Sequence, residues 1–117
     1  MNYDNGWVGI DLDNTLAYYI SGQEIFHIGE PIPLMLERTL KWLAEGKALK
    51  IFTARVSSNN PNREQERLGI QKWCLQHLGQ ILEVTAEKDF DMITCWDDRC
   101  TQVIPDMGIA LQDLIED

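Results

Sequence analysis

Acidic side chains follow two of the apolar segments of this chain, at the points where those segments end. Asp11 and Asp13 come directly after one short apolar run, and Asp97 and Asp98 come directly after another. A carboxylate buried without a partner is costly or takes up a proton, so these acids are poor material for a core. The pattern therefore predicts that they lie at an open edge of the fold, beside a compensating charge.

Two further polar side chains follow apolar runs in the same way. Thr53 ends the run 48–52, and Lys88 lies in the loop after the run 81–84. Consecutive parallel strands joined by right-handed crossovers present their carboxyl ends at one edge, which is where such sheets bind ligands. We therefore expect these two groups to meet the four acids in space.

The spacing of apolar residues predicts the elements that would bring these groups together. It indicates strands at 7–12, 48–52, 81–84, 92–96 and 102–104, helices at 33–46, 60–79 and 109–115, and a hairpin of 17–20 with 24–28. Strands alternating with helices are typical of an α/β fold. The expected architecture is a single Rossmann-like three-layer α/β/α domain over residues 1–117. It has a mainly parallel sheet of about five strands, helices on both faces and a hairpin flap after strand one.

Composition narrows the classes of partner and compartment. The chain has 117 residues and a formal net charge of −9, which disfavours broad coating of nucleic acids or acidic membranes. Neither a membrane-spanning run nor a signal peptide is recognisable. The three cysteines form no C-x-x-C pair, which favours a reducing compartment. We expect a cytoplasmic protein, and its oligomeric state stays open.

These motifs resemble those of a known family. Asp11-Leu12-Asp13-Asn14-Thr15-Leu16 is similar to the D-x-D-x-T-L first motif of the haloacid dehalogenase-like phosphohydrolases. Phe52-Thr53-Ala54-Arg55 resembles their second motif, Lys88 their third, and Trp96-Asp97-Asp98-Arg99 their acidic fourth. The motifs follow the family's order over nearly the whole chain. A weaker similarity connects the second and fourth motifs to the phosphatase half of polynucleotide kinase-phosphatases.

The resemblance implies a Mg²⁺-dependent phosphatase that hydrolyses phosphomonoesters through an aspartyl-phosphate on Asp11. Asp13 takes the position of the general acid. Asp11, the backbone carbonyl of Asp13 and one of Asp97 and Asp98 would hold Mg²⁺, with Asp98 favoured and Asp97 orienting it. The cation is needed because a carboxylate and a phosphate at ~4 Å repel each other by about 4 kcal/mol per unit pair at an effective dielectric near 20.

The second and third motifs imply the groups that bind the phosphoryl oxygens. Thr53 with nearby backbone N–H groups would donate hydrogen bonds, and Lys88 would neutralise charge. The substrate-binding set is Thr53, Ala54, Arg55 and Lys88, and Arg63 and Arg67 extend it toward a second phosphate or a nucleotide. There is no room for a cap domain, which the family associates with large substrates. A nucleotide or a polynucleotide 3′-phosphate end is the leading specific expectation.

Two other classes of function are compatible with parts of this pattern. A non-catalytic or regulatory phosphate-binding domain, acting as a partner subunit, would keep the pocket without turnover. A phospho-accepting receiver domain also uses Asp, Thr and Lys at strand ends, but its acceptor lies on a middle strand of the chain order. His27 and His77 are assigned no role, because surface placement and core packing explain them as well.

Overall fold

Short strands paired in parallel organise the part of the chain that the structure describes. The structure is a computed structural model covering residues 5–115. Within that range, four strands form one parallel sheet in the order β3-β2-β1-β4, and two α-helices connect consecutive strands. The elements are β1 (Trp7–Ile10), α1 (Pro33–Ala44), β2 (Leu49–Phe52), α2 (Arg63–Leu78), β3 (Glu83–Thr85) and β4 (Met92–Trp96). The predicted α/β class and parallel sheet are confirmed.

The two helices lie where local sequence signals predict them. Pro33 occupies the first turn of α1, where its missing N–H costs nothing, and the chain leaves the helix at Gly46, whose φ is 80°. Gly79 ends α2 in the left-handed conformation at φ 79° and donates its N–H to the carbonyl of Leu75. A residue without Cβ adopts this conformation at no steric cost, so both glycines stop their helices.

The hydrophobic core lies on one face of the sheet. Ile10 and Ile51 project from neighbouring strands into the same cluster as Met35 of α1 and Ile70 of α2. The helices contact each other, so both cover this face. The reason is topological, because the chain moves from β1 to β2 to β3 in one direction, and right-handed crossovers then place both helices on the same side.

The expectation of helices on both faces is therefore wrong. The connection from β3 to β4 is residues 86–91, too short to carry a helix across the second face. Side chains cover that face instead. Trp7 is buried against Phe52, with ring centroids 6.4 Å apart, and donates its indole N–H to Asp89 at 2.8 Å. The Lys50 ammonium lies 4.6 Å from the Trp7 ring centroid.

The predicted hairpin at 17–28 is also wrong. This segment is a loop, closed at its base by a single bridge between Ala17 and Pro31. Tyr18 N donates to the Glu30 carbonyl, and beyond this bond the Gln23 side chain accepts a hydrogen bond from Ile20 N and donates one to the His27 carbonyl. The polar groups within the loop are thus satisfied locally and not by a strand ladder.

The predicted fifth strand and closing helix are replaced by a segment folded back on itself. Val103 forms one bridge with Ala110, and Leu111–Leu114 is a short 3₁₀ turn. Between them, Asp106 and Gly108 both have positive φ, which produces a tight reversal. Residues 102–104 therefore pair with their own segment, and β4 is the last strand of the sheet in the described chain.

Candidate active site

A cavity of about 610 Å³ opens at the carboxyl edge of the sheet. It lies where β1 is flanked by β2 on one side and β4 on the other. The chain leaves β1 toward β2 but reaches β4 from β3, so the strand order reverses beside β1. This is the position at which parallel α/β sheets form a crevice. Its polar lining includes Asp11, Asp13, Thr53, Arg55, Asp97, Asp98 and Arg99.

Three carboxylates meet at one end of this cavity. Asp11, Asp97 and Asp98 each offer an oxygen atom, and these atoms lie within 4.8 Å of one another. The register of the sheet explains the meeting, because Ile10 pairs with Trp96 and the next residues are Asp11 and Asp97. Asp11 N also donates to the carbonyl of Trp96 at 2.8 Å, which fixes the two strand ends together. We call this group the acidic trio.

Both members of the late acidic pair face Asp11, although the sequence favoured Asp98 alone as the ligand. Strand alternation, on which that choice relied, stops at Trp96. Asp97 and Asp98 lie in the following turn, where the Asp97 carboxylate accepts a hydrogen bond from Arg99 N at 2.8 Å. Both carboxylates reach Asp11 from this turn, so the geometry does not single out Asp98.

Repulsion and burial hold a proton in the trio. Burial is the largest cause that raises the pKa of Asp11 to about 7, and the hydrogen bond with Asp98 and the charges of Asp97 and Asp98 add to it. The Thr15 hydroxyl opposes this effect by donating to Asp11 at 3.3 Å. At neutral pH and without a cation, the negative charge of these carboxylates is thus not balanced.

An arginine stands at the opposite end of the cavity and is fully engaged. Arg55 donates from Nε and Nη2 to the two oxygens of Asp13, at 2.8 and 2.7 Å, and from Nη1 to Glu66 at 3.0 Å. Nη2 also donates to the His27 carbonyl at 2.8 Å. Burial lowers the pKa of Arg55, and the hydrogen bonds and charges of both acids outweigh it and raise that pKa above its usual value. We call Asp13, Arg55 and Glu66 the arginine clamp.

The second motif contributes Thr53 and Ala54 to the cavity as well as Arg55 to the clamp. Thr53 is buried, and its side-chain oxygen accepts a hydrogen bond from Arg55 N at 3.2 Å, which caps the 3₁₀ turn Ala54–Val56. Within residues 5–115 the Thr53 hydroxyl has no protein acceptor, so its proton can be donated to a ligand. Ala54 is exposed and lines the cavity with Thr53.

The structure does not bring all predicted cations into the site. Lys88 is exposed and is not among the described residues that line the cavity. Arg63 donates to the carbonyls of Ser58 and Asn60, and Arg67 donates to the carbonyl of Val84. These two arginines are bonded to the turn before α2 and to the end of β3 and do not line the cavity, so the expected extension of the substrate-binding set along α2 stays a prediction.

Several residues of the site carry no role in the sequence analysis. Thr15 donates to Asp11 and lies 3.4 Å from an oxygen of Asp98, Arg99 lines the cavity, and Glu66 completes the clamp from the buried side of α2. Thr15 and Arg99 stand within the first and fourth motifs, so their positions were a usable signal. No sequence signal identifies Glu66 as a site residue, because an acid in the first turn of a helix is usually solvated.

The trio has the chemistry of a site for a small divalent cation. Carboxylate oxygens are the donors that Mg²⁺ prefers, and it usually takes one or two of them from the protein. Burial and, after it, the neighbouring carboxylates raise the pKa of Asp11, and a dication would offset the negative charge of the three acids. The residues present therefore fit the Mg²⁺ that the sequence motifs imply.

We find no match to this chain among models of protein families, curated proteins or solved structures. Within residues 5–115, no helix is both long and apolar enough to cross a membrane.

Proposed function

We propose that this protein is a Mg²⁺-dependent phosphomonoester hydrolase with a Rossmann-like, haloacid dehalogenase-like fold and no cap domain. The observation that carries the proposal is the acidic trio: residues more than eighty positions apart in the chain present oxygens within 4.8 Å of one another. They do so at the crevice of a parallel sheet, beside a threonine whose hydroxyl is free to donate. That combination suits phosphoryl transfer better than it suits a structural role.

Asp11 is the nucleophile in this proposal. Its carboxylate oxygen attacks phosphorus and forms an O–P bond, while the bond from phosphorus to the leaving alcohol oxygen breaks. Water then attacks the aspartyl-phosphate, which releases inorganic phosphate and restores the carboxylate. The bound Mg²⁺ would offset the charges of substrate and carboxylates, and Asp11, Asp97 and Asp98 would hold it, with the Asp13 backbone carbonyl as the fourth expected ligand.

Asp13 is the proposed general acid, and it can take that role only if its hydrogen bonding to Arg55 changes. Both of its oxygens accept hydrogen bonds from Arg55, which favours the charged carboxylate. To donate a proton to the leaving oxygen, one of these bonds must give way when substrate is bound. Asp13 is partly exposed to the cavity, with 24% of its side-chain surface accessible, so a substrate can reach it.

Charge on the transferring phosphoryl group would be stabilised from the β2 and β4 sides. Thr53 donates its hydroxyl, and Arg99 brings a cation that the cavity lining includes. The corresponding role of Lys88 stays a prediction, and so does a nucleotide or polynucleotide 3′-end as substrate.

The test is hydrolysis of an aryl phosphate with and without Mg²⁺. Replacing Asp11→Asn keeps the side chain's shape and removes the nucleophile, so activity should fall by at least about 10³-fold while thermal unfolding stays cooperative. Asp113→Asn, on an exposed 3₁₀ turn, is the matched control and should keep full activity. Acid quenching during turnover should leave a phosphoryl group on the peptide that contains Asp11. Full activity of Asp11→Asn would contradict the proposal.

A second candidate is a phosphate-binding domain that does not turn over, acting as a partner subunit. The engagement of both Asp13 oxygens by Arg55 favours it, because a tied carboxylate is a poor proton donor. Mg²⁺-dependent binding of phosphate esters, with no hydrolysis on a panel of nucleotides, sugar phosphates and 3′-phosphorylated oligonucleotides, would support this candidate over the first.

A further inference from the structure

Apolar side chains from the loop 18–28 form one wall of the cavity. Tyr19, Ile25 and Phe26 line it together with the trio, and they are 43%, 66% and 37% exposed. A phosphate, a metal ion and water have no use for such a surface. Since exposed apolar side chains clustered at a polar site mark ligand contacts, this wall indicates that the ligand has an apolar part.

Phe26 is held in a conformation that bulky side chains rarely adopt. Its φ is 70°, in the left-handed region. The neighbouring His27 carbonyl accepts hydrogen bonds from both Gln23 and Arg55, and His27 N donates to the Glu24 carbonyl at 3.1 Å. Strain that the surroundings enforce in this way tends to occur at ligand clamps. It keeps the phenyl ring at the cavity instead of in the core.

The wall is preformed and tied to the site. A Cβ added at Gly29 would lie 2.1 Å from the Tyr18 carbonyl oxygen, so the two ends of the loop meet at a distance that only glycine permits. Trp73 of α2 donates to the Gly29 carbonyl at 3.0 Å. Arg55 bonds the loop at His27 and the trio's neighbour Asp13 at once, so wall and acids keep a fixed separation.

Resting on the proposed function, we propose that the wall holds the base of a nucleoside monophosphate while the trio acts on its phosphate. A planar base stacks on Tyr19 or Phe26, and Asn14 and Glu24 in the same lining offer the donor and acceptors that base edges and ribose hydroxyls use. A cavity of about 610 Å³ suits one nucleotide. The net charge of −9 argues against a polymer of phosphates.

The experiment compares substrates across matched variants in the presence of Mg²⁺. The substrates are the 5′- and 3′-monophosphates of adenosine, glycerol 2-phosphate, a phosphotyrosine peptide and a 3′-phosphorylated oligonucleotide. The variants are Phe26→Gly, which suits the positive φ and removes the ring, and Tyr19→Ala. Phe90→Ala is the control, because Phe90 is a 93% exposed aromatic residue that the cavity lining does not include.

We expect the wild type to prefer one adenosine monophosphate over glycerol 2-phosphate. Each wall variant should lower kcat/KM for the nucleotide by about tenfold or more, mainly through KM, and leave glycerol 2-phosphate unchanged. Equal use of all substrates, or a preference for the peptide or the oligonucleotide, would overturn this inference and leave the hydrolase proposal standing. If no substrate turns over, binding of adenosine monophosphate is measured by calorimetry. Binding that Phe26→Gly weakens would support the nucleotide-binding role of the wall without the hydrolase proposal. The absence of binding would refute that role.

Discussion

The two ends of the cavity handle negative charge in opposite ways. In the arginine clamp, two carboxylates share one guanidinium with bonds of 2.7 to 3.0 Å, and the three side chains are between 8% and 24% exposed. In the acidic trio, three carboxylates share no described cation, and the pKa of Asp11 rises to about 7. The clamp has a cation of its own, bonded to both of its acids, whereas the trio depends on a cation from outside.

This difference separates what stabilises the fold from what binds a ligand. The clamp joins the first motif, the second motif, α2 and the loop 18–28, so its hydrogen bonds hold the cavity's walls together. The trio works against folding as long as no cation is present, because like charges are packed closely. Proteins commonly accept such a cost at functional sites, which makes the trio the more informative end about function.

The largest expected effect comes from breaking the clamp. Arg55→Met leaves Asp13 and Glu66 without their partner, and removing one member of a buried charge cluster costs about 3 to 5 kcal/mol of unfolding free energy. Arg55→Lys should recover only part of the loss, because an ammonium cannot bond both Asp13 oxygens in parallel. Urea unfolding near neutral pH measures the free energy of unfolding of both variants.

Arg63→Met is the control for this prediction. Its exposed guanidinium donates to backbone carbonyls at 3.2 and 3.5 Å, so its loss should cost less than about 1 kcal/mol. If Arg55→Met were no worse than Arg63→Met, the clamp would not be what holds the cavity together, and the contrast between the two ends would fail.

The second expected effect is a pH dependence that belongs to the trio. Folded, metal-free protein keeps a proton on Asp11 up to about pH 7, whereas the unfolded chain loses it near the ordinary value of 3.8. The folded state therefore binds more protons between those values, and its stability falls as pH rises through that window. Asp11→Asn should be more stable than the wild type at about pH 8 and similar at about pH 4. Because solvent screens this partly buried carboxyl, the gain should be less than the ~4 kcal/mol that the full pKa shift corresponds to.

Urea unfolding with a chelator, at both pH values, measures this difference, and comparing two variants cancels the other titrating groups. Asp106→Asn, an exposed acid with positive φ that asparagine tolerates, should show no such pH-dependent gain. A constant gap between wild type and Asp11→Asn at all pH values would show that Asp11 is not held protonated.

The acidic end could be predicted from the sequence, and the clamp could not. Asp11 and Asp97 can be recognised in the sequence because each directly follows an apolar strand, and parallel pairing brings such strand ends together. The bond between Asp13 and Arg55 links residues 42 positions apart whose types fit many roles. Glu66 looks like a solvated helix residue, and only the packing of α2 onto the second motif buries it.

The fold shows the same division between periodic and irregular segments. The bounds of α1 and α2 follow from Pro33, Gly46 and Gly79, which act locally. The loop 18–28 resembles a hairpin by composition, but its backbone groups bond locally, and two of them bond to the Gln23 side chain. The prediction for Lys88 depends on its position after a strand. Where Lys88 lies is set by the geometry of the loop 86–91, which follows from no simple sequence pattern.

Adding Mg²⁺ should reverse the cost of the trio and leave the clamp unaffected. A ligand that binds only the folded state stabilises it by about 2.7 kcal/mol at a hundred times its Kd. The midpoint temperature of thermal unfolding of the wild type at about pH 8 should therefore rise when Mg²⁺ is added. Asp98→Asn and Asp11→Asn should weaken the rise, and Asp113→Asn should keep it. A rise of equal size in all four proteins would place the cation elsewhere.

The smallest effect tests whether Thr15 tunes the trio. Its hydroxyl lies 3.3 Å from Asp11 and 3.4 Å from Asp98, long hydrogen bonds that should contribute about 1 kcal/mol or less to stability. Because the bond to Asp11 lowers the pKa of that carboxyl, Thr15→Val should raise it further above 7 and shift the stability window of the trio to higher pH. Carboxyl titration by NMR measures the shift directly, and Thr15→Ser should restore the wild-type value. An unchanged pKa in Thr15→Val would mean that burial and the neighbouring carboxylates alone hold the proton, and that the trio has no internal donor to moderate its charge.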